Sequence, residues 1–160
     1  MIRKVAKRIG SIRRRSYASL FRIFAAWVIL GLARAAVVFL PFERIIELIG
    51  LNSRAHAATP LVTSRQRESA RQVGLTILVA AKYSPWVANC LPQAICAAVL
   101  LRIYNVPFAV FLGVLRDEKN GRVLAHAWTC AGDIPVTGGG DPRTYAIVGC
   151  FDRSANPGQN

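Results

Sequence analysis

The apolar residues of this chain change their period once, at Asn105-Val106-Pro107. Before that point they recur at helical spacing. After it they fall into short β-prone runs separated by turn residues. A chain of 160 residues is long enough for one domain with a real core, or for a small domain with a helical extension. Helices grouped first and strands second predict an α+β fold, with N-terminal helices ahead of a small antiparallel sheet.

Residues 16–40 are the most apolar stretch, with Leu20, Phe21, Ile23, Phe24, Trp27, Val28, Leu30, Leu32, Val37, Val38 and Phe39. Crossing a bilayer takes about 20 such residues. Arg34 lies within the run, and an arginine near the bilayer centre costs roughly 2.5–3.5 kcal/mol on insertion scales. The expectation is therefore a buried or interface-lying helix with Arg34 on its polar side, rather than a span. Pro41 ends it, and residues 42–51 read as a second short helix with Ile45, Ile46, Leu48 and Ile49 on its apolar face. Residues 52–67 read as a polar linker; His56 within it is assigned no role.

Val73, Ile77, Ala80 and Ala81 predict a third helix over residues 66–83, which Ser84-Pro85 terminates. Asn89 then suits an N-cap and Pro92 a first turn, where a missing N–H does no harm. This fourth helix runs to about Tyr104, with Leu91, Ile95, Ala98, Val99 and Ile103 as its buried residues. Beyond the period change, residues 108–115 predict a central strand. Asn120-Gly121 signals a hairpin and residues 122–130 the next strand. A turn at Ala131-Gly132 leads to a strand over 134–137, and a glycine-rich loop with Asp141 and Pro142 leads to a last strand over 144–151. The chain divides into a basic segment (1–15), a helical extension and linker (16–65), a core (66–153) and a polar tail (154–160).

Over half the residues are hydrophobic and the net charge is +13, so disorder throughout is excluded. Arg3, Lys4, Lys7, Arg8, Arg13, Arg14, Arg15 and Arg22 carry much of that charge. They suit nucleic acid, an anionic membrane surface or an acidic peptide, the alternative being a solvated tail with no dedicated partner. No nucleic-acid recognition motif accompanies them, so nucleic acid is not expected as a partner. Nothing resembles a cleavable secretory signal. The expected setting is the cytoplasm, with membrane association through the first helix and free thiols.

Cys90, Cys96, Cys130 and Cys150 show no C-x-x-C spacing, and only His56 and His126 are available to complete a zinc site, so no metal or cofactor is expected. Cys90 falls at the predicted start of the fourth helix. There, unpaired N–H groups and the positive dipole end lower a thiol pKa and can hold an oxyanion. His126 lies on a strand whose alternation puts Leu124, His126, Trp128 and Cys130 on one face. A helix-start cysteine followed by a strand histidine is the arrangement needed for thiol activation. By contrast, Cys96 lies inside the helix and reads as a buried apolar residue.

A third group must orient the imidazole. With Ala131-Gly132 as a two-residue loop, Cys130 would face Asp133 and His126 would face Thr137. Asp133 would then lie roughly 13 Å along the strand from His126, too far to bond. Asp141, in the glycine-rich loop, is favoured, with Thr137 or a backbone carbonyl as the alternative.

Several motifs of this chain are similar to those of the lasso-peptide biosynthesis B proteins, the transglutaminase-like leader peptidases. They are Ala26-Trp27, Leu40-Pro41-Phe42, Asn89-Cys90-Leu91-Pro92-Gln93, Gly113-Val114, Ala125-His126-Ala127-Trp128, Gly132-Asp133 and Val136-Thr137-Gly138-Gly139. The resemblance covers about residues 20–151. It implies a papain/transglutaminase-like core and a Cys-His-Asp triad with Cys90 as nucleophile and His126 as general base. Many relatives carry the aspartate where this chain has Gly138, so either Asp141 substitutes or the third member is not a carboxylate. It also implies an activity, removal of the leader from a ribosomally made precursor peptide, with a separate ATP-using lasso cyclase closing the ring. The basic, helical first 60 residues leave no room for a fused recognition domain, which implies a separate leader-recognition protein as partner.

Overall fold

The computed structural model describes residues 17–55, 57–116, 121–139 and 144–152. Among them are four helices: α1 (Tyr17–Phe39), α2 (Phe42–Ile49), α3 (Ser64–Lys82) and α4 (Cys90–Ile103). Five strands complete the fold: β1 (Asn52–Ser53), β2 (Ala109–Arg116), β3 (Val123–Ala131), β4 (Ile134–Thr137) and β5 (Ala146–Asp152). The strands form one antiparallel sheet in the order β1-β5-β2-β3-β4. The fold is α+β, as the single change of period predicts.

α4 is the central element. Ala94, Ile95, Cys96, Ala97, Ala98, Leu100 and Leu101 are all buried, so the helix is enclosed nearly all round rather than along one stripe. The residues expected to be inside are corrected accordingly: Leu91 and Val99 are only half-buried and Ile103 is exposed. On one side α4 meets α1, where the Cys96 thiol donates to the Ala26 carbonyl at 3.6 Å. On the other it meets β3, where the Thr129 hydroxyl donates to the Ala94 carbonyl at 3.2 Å. This close approach needs small residues on both surfaces. Alanines of α4 face Ala127, Thr129 and Ala131 of β3, all buried.

α3 begins with a reciprocal cap. Gln66 N–H donates to the Thr63 hydroxyl and the Thr63 N–H donates to the Gln66 side chain. The α3 face carrying Ala70, Val73, Ile77 and Ala80 enters the core, and Gly74 comes so near β4 that an added Cβ would lie 2.7 Å from the Val136 carbonyl oxygen. α1 and α2 join the same core through Ala26, Leu30, Ala33, Ile45, Ile46 and Ile49. α1 is long and apolar enough to cross a membrane, yet it also supplies fully buried residues to the protein.

Two further expectations are corrected. The stretch after α2 is not only linker. Asn52 and Ser53 pair with Asp152 and Phe151, and Arg54 bridges to Asp152 at 2.7 Å. The β3–β4 turn lies one residue later than predicted, at Gly132-Asp133, with Ala131 opposite Ile134. Gly132 adopts φ +61°, a left-handed conformation that suits glycine in a tight turn.

Candidate active site

Cys90 is the first residue of α4 and is half-buried. Asn89 occupies the N-cap position, but its side chain makes no capping hydrogen bond. The bond that ties the chain there comes from Gln93, whose side-chain amide donates to the Ala88 carbonyl at 2.7 Å. First-turn N–H groups not capped by a side chain are donors for an anionic oxygen beside the sulfur. Trp86, four residues upstream, packs on Trp27 of α1 with centroids 4.6 Å apart and lies against Gly31. It anchors the loop that delivers Cys90 to its position.

Burial separates the other thiols from this one. Cys96 is buried where α4 meets α1, which pushes its pKa up to about 12. Desolvation pushes Cys130 up to about 11 and also raises Cys150. None of the three is a thiolate at neutral pH.

His126 sits opposite Gly113 on β2. Its ring stacks on Tyr145 at 4.9 Å and lies 5.9 Å from the Trp128 ring. Gly113 makes this cluster possible, because an added Cβ would come within 2.8 Å of both Trp128 and Tyr145. The Nε2 atom of His126 is buried and has no hydrogen-bond partner among the described residues. Such an atom is unusual in a folded protein. Phe111, Trp128, Cys130 and Tyr145 border a hollow of about 600 Å³ on this side of the sheet.

Cys90 opens α4, and His126 lies on β3, the strand that α4 packs against. α4 ends at Ile103 and β2 begins at Ala109, which pairs with Cys130. The Ala94 carbonyl, one turn beyond Cys90, accepts from Thr129, three residues beyond His126 on β3. The structure does not join Cys90 and His126: no hydrogen bond links the thiol to the imidazole. Ala127 and Thr129 face α4, so alternation turns His126 away from it, to the side of Trp128 and Cys130.

The orienting groups considered from the sequence are distributed as follows. Asp141 lies outside the described residues. Asp133 is at the tip of the β3–β4 turn and pairs with Arg67 at 2.6 Å. Thr137 is opposite Thr129, not His126, because of the later turn and an irregularity between Thr129 and Cys130. Its hydroxyl is buried without a partner among the described residues. Thr137, Gly138, Gly139, Gln93, Leu75 and Leu78 border a second hollow, of about 550 Å³, between α3 and edge strand β4. Tyr145 and Gly113 are the site residues that sequence reasoning left without a role. Tyr145 meets His126 only through the long-range β2–β5 pairing, for which no local spacing gives a signal.

Residues 36–149 match the transglutaminase-like superfamily. The chain belongs to that superfamily. The match contains α4 with Cys90 and β3 with His126, and it begins inside α1. Membership in the transglutaminase-like superfamily implies a fold for cysteine-protease-like or acyl-transfer chemistry. No curated protein and no solved structure matches the chain.

Proposed function

We propose that this transglutaminase-like protein is a cysteine peptidase that removes the leader from a ribosomally made precursor peptide during lasso-peptide maturation. One observation carries the reading: of the four thiols, Cys90 alone opens a helix, while burial raises the pKa of the other three. In this mechanism the Cys90 thiolate attacks the scissile carbonyl, and the carbon–sulfur bond forms as the carbonyl becomes an oxyanion held by first-turn N–H groups. Collapse expels the amine of the core peptide, which takes a proton from His126. Water, giving its proton to His126, then releases the leader acid and the thiolate. The hollow beside β4 suits an extended peptide, since an edge strand offers backbone partners. The released core passes to a separate cyclase, and a separate recognition protein holds the leader in the cytoplasm.

The stacked position of His126 favours a second reading of that residue alone. In it, the imidazole packs between Tyr145 and Trp128, and another group serves as base. Incubating the precursor with the wild-type protein, Cys90→Ala and His126→Ala, with the recognition protein present, separates these. Loss of cleavage in both variants supports the dyad. Cleavage that survives His126→Ala assigns the histidine to packing, and cleavage that survives Cys90→Ala removes the peptidase reading. Product mass with and without an added amine distinguishes hydrolysis from acyl transfer.

The net charge of +13 supports attraction of an acidic leader, so cleavage slows as salt is added. A salt-independent rate removes the electrostatic part of the reading.

A further inference from the structure

α1 has two unlike faces. Ala26, Leu30 and Ala33 are buried against the rest of the protein. On the other side Phe21, Phe24, Val28, Leu32, Ala35 and Phe39 follow one another at intervals of three or four residues and so line one face. Phe21 is 71% exposed, Phe24 61%, Leu32 65% and Phe39 81%. No charged residue interrupts this face. Arg22 turns toward α3, where it borders a hollow with Glu68 and Gln72, and Arg34 is half-buried off the face. A 23-residue helix is about 35 Å long at 1.5 Å per residue, so the apolar strip is far larger than scattered surface residues produce.

The sequence immediately before the helix carries Arg3, Lys4, Lys7, Arg8, Arg13, Arg14 and Arg15 and no acidic residue. An apolar helical face next to a polybasic run has one complementary surface, a bilayer that offers acyl chains below and anionic headgroups above. We propose that α1 is an in-plane docking helix, seating its Phe21–Phe39 face in the headgroup layer of an anionic membrane while the preceding cations pair with lipid phosphates. The helix does not span. Leu30 and Ala26 are fully enclosed, the Ala26 carbonyl accepts from Cys96, and Trp27 packs on Trp86. Surrounding the helix with lipid would break all of these contacts. The inference is independent of the chemistry at Cys90.

The test is co-sedimentation of the full chain with vesicles of mixed phosphatidylglycerol and phosphatidylcholine, and with vesicles of phosphatidylcholine alone. Binding to the anionic vesicles is expected to be at least about tenfold tighter, and to weaken in high salt. The triple variant Phe21→Ser, Phe24→Ser, Leu32→Ser is expected to lose about tenfold or more in binding. Its thermal melt should be unchanged, because the replaced side chains are exposed. Bound protein is expected to be released by alkaline carbonate.

Failure to bind either vesicle overturns the proposal, as does unchanged binding by a folded triple variant. Retention after carbonate overturns the in-plane geometry in favour of a span. A dimer that the triple variant converts to monomer, without vesicle binding by the wild type, assigns the face to a second copy.

Discussion

At the scale of single residues, the thiols offer the sharpest test, because the same functional group occurs in four surroundings. Burial raises Cys96 to about 12 and Cys130 to about 11, so at pH 7 the thiolate fraction of Cys130 is on the order of one part in ten thousand and that of Cys96 is lower still. Iodoacetamide at neutral pH is expected to modify Cys90 first, with peptide mapping as the readout. Cys96, Cys130 and Cys150 should react only on unfolding, and fast labelling of Cys96 in the folded protein would refute the packing of α1 on α4. The same shifts fix a pH dependence. A thiol whose pKa is higher in the folded state stabilises the fold fully below its unfolded pKa, about 8.5. That contribution is lost as pH rises through the folded value. The melting temperature should therefore fall between about pH 9 and 12, and Cys96→Ala should flatten the decline. His126 shows how much of the site is legible locally. Period-2 alternation correctly groups it with Trp128 and Cys130. It does not say which face a helix will cover, and here the bulky face is not the one that α4 chose.

At the scale of elements, that choice has a physical cause. α4 presents alanines where it meets the sheet, and such a helix packs closest on the β3 face with Ala127, Thr129 and Ala131. A reader of the sequence sees Leu124 and Trp128 as the heavier residues and has no local signal that small size decides. β1 was hidden for a related reason: two residues give no period, and only pairing with the distant β5 makes them a strand. The turn at Gly132-Asp133 differed from expectation by one residue, enough to exchange the partners of Thr137. Helices α1 to α4 were legible because each extends over two or more turns and is bracketed by proline or a cap. Close approach between elements is testable at Gly74. Gly74→Ala brings a methyl to 2.7 Å from the Val136 carbonyl oxygen, so α3 must move away from β4, at a cost of about 1–3 kcal/mol. Gly139→Ala, with nothing within 4 Å of the added carbon, should shift the urea midpoint by less than about 0.5 kcal/mol in stability. Equal midpoints for the two variants would refute the α3–β4 contact.

For the whole molecule, the question is whether α1 is an appendage or a wall of the core. The superfamily match begins at residue 36, which leaves most of α1 outside it. The packing says otherwise. Leu30 has no exposed surface and Ala26 and Ala33 are buried with residues of α3 and α4 in one cluster. Trp27 covers Trp86, and that loop leads directly to Cys90. Removing α1 would uncover Cys96, whose thiol now meets the Ala26 carbonyl. Leu30→Ala is accordingly expected to cost about 2–5 kcal/mol, measured by urea unfolding. Leu32→Ala, two residues away on the exposed face, should cost less than about 0.5 kcal/mol. A chain beginning at residue 40 should lose its near-ultraviolet circular dichroism and its cooperative melt, and with them the rapid labelling that distinguishes Cys90 from the buried thiols. If instead that shortened chain melts cooperatively and Leu30→Ala is as mild as Leu32→Ala, α1 is detachable and the loop carrying Trp86 holds Cys90 without it. The contrast between Leu30 and Leu32 also separates the two faces: the inner face is tested by stability, the outer by what it binds.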